Sequence, residues 1–411
     1  MRSSYDAPDL MPIQSAIELI MASIKPNFET TICALGDSLD RVIAQDIISP
    51  INVPAYDNSA MDGYALNYAD YLVSRTLIQV GKSFAGNSFQ GELTKGECIK
   101  IMTGAEIPKG ANTVVMQENA RANENRITFH DAKPADAIRP AGDDIKKGTV
   151  VFKAGCRISP IDIGLLASLG FASVPVYKRV KVAVFATGDE LLAVGSPPQS
   201  NRIFDTNRPM LIAMISRLGG EVLDLGIVAD SKEKIRAAFK QANEYADCVI
   251  TSGGVSVGEA DYTREILEEY GTIEFWKLAI KPGKPLAFGH LPNSIFFGLP
   301  GNPVSAAVTF DQIAAPAIAY LAGCNVAKST LLPAIASSTF NKRPGRTDYQ
   351  RAHYYVSDNG LLCVKTTGSQ SSGVLSCFKQ SNCYAVLESA RGKVLEGETL
   401  HILPFTHLIQ S

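Results

Sequence analysis

The spacing of apolar positions changes from one part of the chain to the next, and each change marks a different kind of structure. Residues 13–24 (IQSAIELIMASI) repeat apolar side chains at helical spacing, which predicts a helix that Pro26 stops. Residues 40–49 mix short apolar pairs with polar residues and read as a helix, or a helix plus a strand, closed by Pro50 and Pro54. Between Pro54 and residue 144 the pattern shortens. Runs of β character at 77–80, 98–102, 113–116 and 126–129 are separated by Gly, Pro and Asn, which predicts a small β-rich insertion. Two polar loops lie within it: 57–64 (DNSAMDGY), ending in a glycine turn, and 103–110 (TGAEIPKG). Residues 150–176 predict a strand, a helix at 160–169 and a second strand, expected to pack back on the N-terminal helical region.

From Lys181 onward strands and helices alternate. Strands are predicted at 181–186, 221–228, 247–251, 273–278, 285–289 and 294–299, and helices at 208–218, 232–245, 262–270 and 304–321. That order predicts an open, mainly parallel α/β domain. Beyond Gly323 short strands at 349–356, 361–366, 383–387 and 399–403 predict a small C-terminal β-barrel. The fold expected is therefore multidomain α/β plus β. Its units are 1–53 together with 145–177, the insertion 54–144, the α/β domain 178–327 and the barrel 328–411.

Composition narrows the functional classes. The chain has 411 residues, 46% hydrophobic and 19% charged, with a net charge of −2. A near-neutral chain has no general attraction for nucleic acid or an anionic membrane, so an anionic ligand needs a local cluster of donors. The eight cysteines form no CxxC and the five histidines show no ligand spacing, which argues against a zinc site or a disulfide framework and fits a reducing cytoplasm. Residues 285–310 carry no formal charge but are broken by proline and glycine, so they are not expected to span a membrane.

Candidate chemistry gathers where an α/β sheet binds its ligands, at the carboxyl ends of strands. The stretch 251–264 (TSGGVSVGEADYTR) joins a buried strand to a helix through Gly253, Gly254 and Gly258, with hydroxyls on Thr251, Ser252 and Ser256 and acids at Glu259 and Asp261. Glycines let backbone N–H groups approach an anion, and a helix N-terminus favours negative charge. No Gly-Lys-Ser/Thr follows, so this is not a Walker loop. Asp189, Glu190, Asp230 and Asp261 stand on separate strand ends, and Lys277, Lys281 and Lys284 share one connection. Any one of these is most simply a solvated loop charge or a helix cap. Both signs gathered at one edge suit an anionic ligand with a divalent cation. In the C-terminal unit the loop 368–375 (GSQSSGVL) is rich in hydroxyls, with Arg346 and Arg351 nearby in sequence, and its plain reading is a polar hairpin turn.

Six motifs in order carry a resemblance: 58–65 (NSAMDGYA), 102–105 (MTGA), 187–191 (TGDEL), 251–262 (TSGGVSVGEADY), 281–285 (KPGKP) and 300–305 (PGNPVS). With them the chain resembles the molybdenum insertases of molybdenum cofactor synthesis, the family of MoeA and the gephyrin E-domain. The resemblance implies four subdomains, an elongated homodimer with a site between protomers, and a Mg²⁺-dependent reaction in which adenylylated molybdopterin and molybdate give molybdenum cofactor and AMP. It implies catalytic roles for Asp62, Asp261, Glu190, Asp230, Lys277 and Lys281, with Glu190, Asp230 and Asp261 holding the metal. Substrate contacts are expected from Thr103, Thr187, Ser252, Gly253, Gly254, Ser256, Gly258, Lys284, Pro300, Asn302, Ser305, Arg351 and Ser372. Implied partners are a MogA-type adenylyltransferase and molybdoenzyme chaperones. The chain departs from the family pattern at Asn112, where Asp is usual, and at Ser371 and Cys377 in a loop usually written with Gly and Ser. The α/β part by itself also resembles the adenylyltransferase that makes the adenylylated pterin, and a nucleotide amidohydrolase type. A scaffolding role is a third alternative. The insertion and the barrel favour the insertase.

Overall fold

The structure is a computed structural model that describes residues 10–254, 262–326 and 329–409. At its centre is a six-stranded sheet of β1 (Lys181–Thr187), β2 (Glu221–Val228), β3 (Cys248–Ser252), β4 (Thr272–Lys277), β5 (Pro285–His290) and β6 (Ile295–Leu299), in the spatial order β2-β1-β3-β6-β5-β4. β2, β1, β3 and β6 pair in parallel, while β5 is antiparallel to both its neighbours, so β5 alone among the six runs against the others.

Helices cover both faces: α1 (Asn207–Arg217), α2 (Lys232–Tyr245), α3 (Tyr262–Tyr270) and α4 (Pro303–Leu321). Alternate residues of β1 serve opposite cores. Val182 and Val184 pack with α1 and α4, and Ala183 and Phe185 with α2 and α3. This is why KVAVFAT reads as a continuous apolar run rather than an alternating one. In α2, Ser231 caps the N-terminus, its Oγ accepting from Lys234 N, and Ile235, Ala238, Phe239 and Ala242 form the stripe that meets the sheet. α4 is long and apolar enough to cross a bilayer, and 83% of its apolar window is buried inside the protein. A π-helical turn, Phe310–Ala314, lies just ahead of Pro316, whose ring nitrogen has no hydrogen to give the turn before it.

Two N-terminal expectations are corrected. Residues 40–49 form no helix: Val42 and Ile43 bridge to Arg157 and Val176, and Ile47–Ile48 pairs with Val150–Phe152, since β-branched side chains find a buried pleated surface there. Residues 150–177 pack on Cys33, Ile43 and Ile47, whereas the first helix, Ile13–Ser23, buries Ala16 and Ile20 in the α/β core.

In the insertion, six strands run in the order Thr113–Met116, Gly63–Leu66, Glu97–Ile101, Thr76–Ser83, Arg126–Phe129, Ala120–Asn123. The glycine turn expected at the end of 57–64 is instead the start of a buried strand. A Cβ on Gly63 would lie 2.0 Å from Val115 O, so the residue is glycine because a neighbouring backbone passes there. In the C-terminal unit Thr347–Val356, Leu362–Thr366, Leu332–Ala336, Thr399–Pro404 and Cys383–Leu387 pair in a ring, the last returning to the first, and close a five-stranded barrel. Leu332–Ala336 is a strand beyond the four that the pattern predicts for this unit, and it accommodates Pro333.

Phe297 in β6 is fully buried and its ring centroid is 5.1 Å from that of Phe288. Phe297→Ala is expected to destabilise the α/β unit by about 3–5 kcal/mol. Fluorescence of Trp276, the single tryptophan, during urea unfolding measures this as a lower midpoint.

Candidate active site

Because β1, β2, β3, β4 and β6 run the same way, Thr187, Val228, Ser252, Lys277 and Leu299 all end at one edge of the sheet, where β5 begins at Pro285. At the middle of this edge Gly253 N donates to Leu299 O (3.2 Å). Asn207, in the first turn of α1, donates through Nδ2 to Ser252 Oγ (2.7 Å) and Gly301 O (2.7 Å), locking together the turns that follow β3 and β6. A Cβ on Gly253 would sit 2.5 Å from Thr187 O. One on Gly254 would sit 2.5 Å from Thr263 Oγ1 and 2.8 Å from Thr187 Oγ1. Both glycines have positive φ, so side chains are barred there by conformation and by space. Thr187 Oγ1, Thr251 Oγ1, Thr263 Oγ1 and Asn207 Oδ1 are buried without a partner among the described residues. Such groups are costly unless a partner completes them, which makes this turn a candidate binding surface. Ser256, Gly258, Glu259 and Asp261 lie outside the described residues.

Acids occupy one end of the edge. Asp189 and Glu190 follow β1, Asp230 follows the neighbouring β2, and Asp230 N donates to Asp189 Oδ1 (3.3 Å). Partial burial holds the Asp230 carboxyl above the usual range, and the negative charges of Asp189 and Glu190 add to this. None of the three acids forms an ion pair among the described residues, nor do three acids, histidines or cysteines there converge tightly enough to enclose a cation.

Cations occupy the other end. Lys277 closes β4 and pairs with Pro285 at the start of β5, and Leu278 N donates to Lys284 O (2.9 Å), which keeps Lys277 and Lys284 adjacent. Both are half-buried, and neither ammonium has an acceptor among the described residues. Lys281 differs: its Nζ lies 3.0 Å from Oδ2 of the buried Asp348, which also accepts from Gln350 Nε2 (3.0 Å). Ser305 is buried in the first turn of α4, and Val304 N donates to Ser372 O (3.1 Å), so the 368–375 loop rests against that turn. Asn302 precedes α4 without a capping bond from its side chain, and Pro300 lies in the same connection.

Arg351 is 1% exposed. Its guanidinium donates inward to Ser371 O (3.3 Å), Tyr349 O (3.4 Å) and Cys377 Sγ (3.3 Å), while its backbone exchanges hydrogen bonds with Gln370. In this arrangement Arg351 holds the loop that carries Ser372.

Asp62 and Thr103 are brought together by the insertion. Thr103 N and Thr103 Oγ1 each donate to Asp62 Oδ1 at 2.8 Å. The backbone bond, followed by the hydroxyl bond, draws the exposed Asp62 carboxyl below its usual range. Among the described residues no hydrogen bond or ion pair joins this pair to the strand-end edge. Sequence reasoning missed Asn207 and Asp348. A polar residue opening a helix was the only signal for Asn207, and no local pattern pointed to Asp348 as the partner of a lysine far away in sequence.

Three stretches match known families: the MoeA N-terminal region (domains I and II) over residues 11–170, a probable molybdopterin binding domain over 183–320 and the MoeA C-terminal region (domain IV) over 333–405. The chain is 50% identical over 384 residues to a molybdopterin molybdenumtransferase of Haemophilus influenzae, covering 93% of this chain and 95% of that one. It is 33% identical to the Bacillus subtilis protein of the same name, covering 96% and 94%. A crystal structure of the molybdopterin biosynthesis MoeA protein from Pyrococcus horikoshii OT3 is similar with a TM-score of 0.83 at 29% identity, over 97% of this chain and all of that one.

Thr103→Val removes one of the two donors to Asp62 Oδ1 and leaves the backbone donor. The Asp62 carboxyl is then expected to titrate closer to an ordinary aspartate, because a bond that favours the charged form is gone. Carboxyl ¹³C shifts followed against pH measure this, and an unmoved titration contradicts the pairing.

Proposed function

This chain belongs to the MoeA family of molybdopterin molybdenumtransferases, enzymes of molybdenum cofactor biosynthesis, and from that premise we propose that it uses the strand-end edge to join molybdate to adenylylated molybdopterin with release of AMP. The observation that carries this reading is the polarity of the edge. Acids follow β2 and β1, unpaired hydroxyls lie at the ends of β1 (Thr187) and β3 (Thr251) and in the first turn of α3 (Thr263), and lysines stand at β5 and β4. Three strand steps separate β1 from β5, about 14 Å at the usual spacing, which suits a long ligand with a phosphoanhydride near its middle.

Each residue then has a task. Lys277 and Lys284 attract the phosphates and the molybdate dianion as point charges. Gly253 and Gly254 let the substrate approach the backbone, with Thr187 and Ser252 beside them. Asn207 is a positioning residue that fixes Ser252 and the Pro300–Asn302 connection. Arg351 positions the loop that brings Ser372 to Ser305. No cysteine is required, because the pterin dithiolene supplies the sulfur.

The donor set also fits Mg²⁺. Asp230 is held above its usual range beside two further acids, and a small divalent ion that retains its waters takes one or two carboxylates together with phosphate oxygens. Glu190 and Asp230 would hold it, and when bound it would neutralise charge developing on the phosphoanhydride. Asp261 belongs to the same proposal as an acid of the glycine loop.

A homodimer completes the reading. Asp62 and Thr103 lie on the insertion, and a partner subunit's insertion reaching over the edge would supply them there. The division into four units, a cytoplasmic setting and handover from a MogA-type adenylyltransferase and to molybdoenzyme chaperones are parts of the same proposal. All eight cysteines are free, which accords with a reducing compartment.

Lys284→Ala is expected to weaken binding of adenylylated molybdopterin about ten- to a hundredfold, the worth of one charge-assisted contact, and to flatten the salt dependence of binding. Titration at two ionic strengths measures both, and unchanged affinity rejects the contact. Assayed with substrate well below the dissociation constant of Lys284→Ala, Asp62→Ala and Lys284→Ala chains should each be nearly inactive as homodimers. If subunits exchange freely, half the dimers are mixed and half of their sites intact, so roughly a quarter of wild-type activity should return. Demonstrated exchange with no recovery would show that both residues act within one protomer.

A further inference from the structure

A second basic concavity shares Lys281 with the Lys277–Lys284 connection and is otherwise built by the barrel. Along Thr347–Val356 successive side chains point to opposite faces. Tyr349 and Arg351 face the interior shared with Tyr384 and Cys377, while Asp348 opens on a pocket of about 430 Å³. Its lining carries Lys281, Lys342, Arg343, Arg346 and Lys393, with Asp348 as its one acid. That acid is already engaged by Lys281 and Gln350.

The pocket is built rather than merely charged. Lys342 is 9% exposed and its Nζ donates to Ser389 O (3.3 Å), Arg391 O (2.6 Å) and Arg343 O (3.3 Å), all neutral main-chain acceptors. Gly345 N donates to Ser389 O (2.8 Å), and Gln350 Nε2 donates to Asn341 O (2.9 Å), which pins both ends of the 341–346 turn. Arg346 Nη1 reaches Ile280 O (3.4 Å), so that guanidinium is also held by a carbonyl. Burial pushes the Lys342 ammonium below the usual lysine range, and the positive charges of Lys281 and Arg346 push the same way against Asp348 and Glu388. Lys342 and Arg346 are thus held by neutral carbonyls, which cancel none of the positive potential they bring to the pocket.

We propose that this pocket binds an oxyanion, of the molybdate or the phosphate type, on the opposite face of the barrel strand from Arg351 and Ser372. The volume is more than ten times the ~30 Å³ of one water, so pyrophosphate fits as readily as a single tetrahedral ion. The choice of these two anions rests on the function proposed above; the charge of the pocket does not.

The test titrates the full chain calorimetrically at low ionic strength with sodium molybdate and, separately, with sodium pyrophosphate. Wild type, Lys393→Gln and the double variant Arg346→Gln/Lys393→Gln are compared, each with its thermal melt. Affinity for at least one anion is expected to fall about tenfold in the double variant and roughly threefold in Lys393→Gln. Lys393 is exposed and its side chain makes no hydrogen bond or ion pair among the described residues, so that single variant reports even if the double variant fails to fold. A loss confined to molybdate assigns the pocket to the metal oxyanion, and a loss confined to pyrophosphate assigns it to phosphate. Wild-type affinity in folded Lys393→Gln, or no binding of either anion by wild type at millimolar concentration, overturns the site. This titration uses inorganic anions and variants of the barrel pocket, whereas the Lys284→Ala titration uses adenylylated molybdopterin, so either can fail without the other.

Discussion

Helices stacked on both faces of the β2-β1-β3-β6-β5-β4 sheet are the interaction on which the rest of the structure depends. With Val182 and Val184 buried against one helical layer and Ala183 and Phe185 against the other, β1 has no face left for solvent or ligand. Chemistry is therefore confined to the ends of the strands. The crossovers through α1 and α2 return the chain to the same side each time, so turns far apart in sequence emerge at one edge. Asp189, Asp230, Gly253, Lys277 and Gly301 are neighbours there as a consequence of how the sheet is buried.

The barrel is joined to that sheet by a continuous apolar contact and by the Lys281–Asp348 ion pair. Tyr349, Tyr384, Val386 and Leu403 share a core with α4 and the first helix. Ile280–Lys281 adds to the barrel beside Thr347–Asp348, which places the Lys281 ammonium on Asp348. Asp348 is nearly inaccessible, so loss of Lys281 would strand a buried carboxylate. Lys281 thus has a structural burden that Lys277 and Lys284 lack, and the three lysines of one connection are not equivalent.

Electrostatics divide the strand-end edge in a way that net charge conceals. A chain with a charge of −2 presents, among the described residues, three acids without an ion pair at one end of the edge and two lysines without acceptors at the other. The buried threonine hydroxyls and the Asn207 amide oxygen lie between them. Asp62 and Thr103 form a third, self-contained unit on the insertion, joined by two hydrogen bonds to one carboxylate oxygen. The homodimer proposed above would bring these parts together.

The sequence by itself determined what depends on short-range pattern. The alternation of β and α after Lys181, the limits of Lys232–Tyr245 and Tyr262–Tyr270, and the barrel strand Cys383–Leu387 follow from periodicity and from which residues fit a helix or a pleated surface. The rule that ligands lie at strand ends was enough to gather the acids, glycines and lysines. Tertiary structure decided what no local pattern encodes. Val42 and Ile43 bridge to Arg157 and Val176, far away in sequence, instead of forming a helix, and Gly63 is a strand residue because Val115 O passes where a Cβ would be. Arg351 turns inward to carbonyls and Lys281 finds Asp348, although each reads in sequence as a plain cation near an anionic ligand. Side-chain direction and partner are set by which distant backbone folds alongside, and that is a property of the assembled sheet and barrel rather than of any window of the chain.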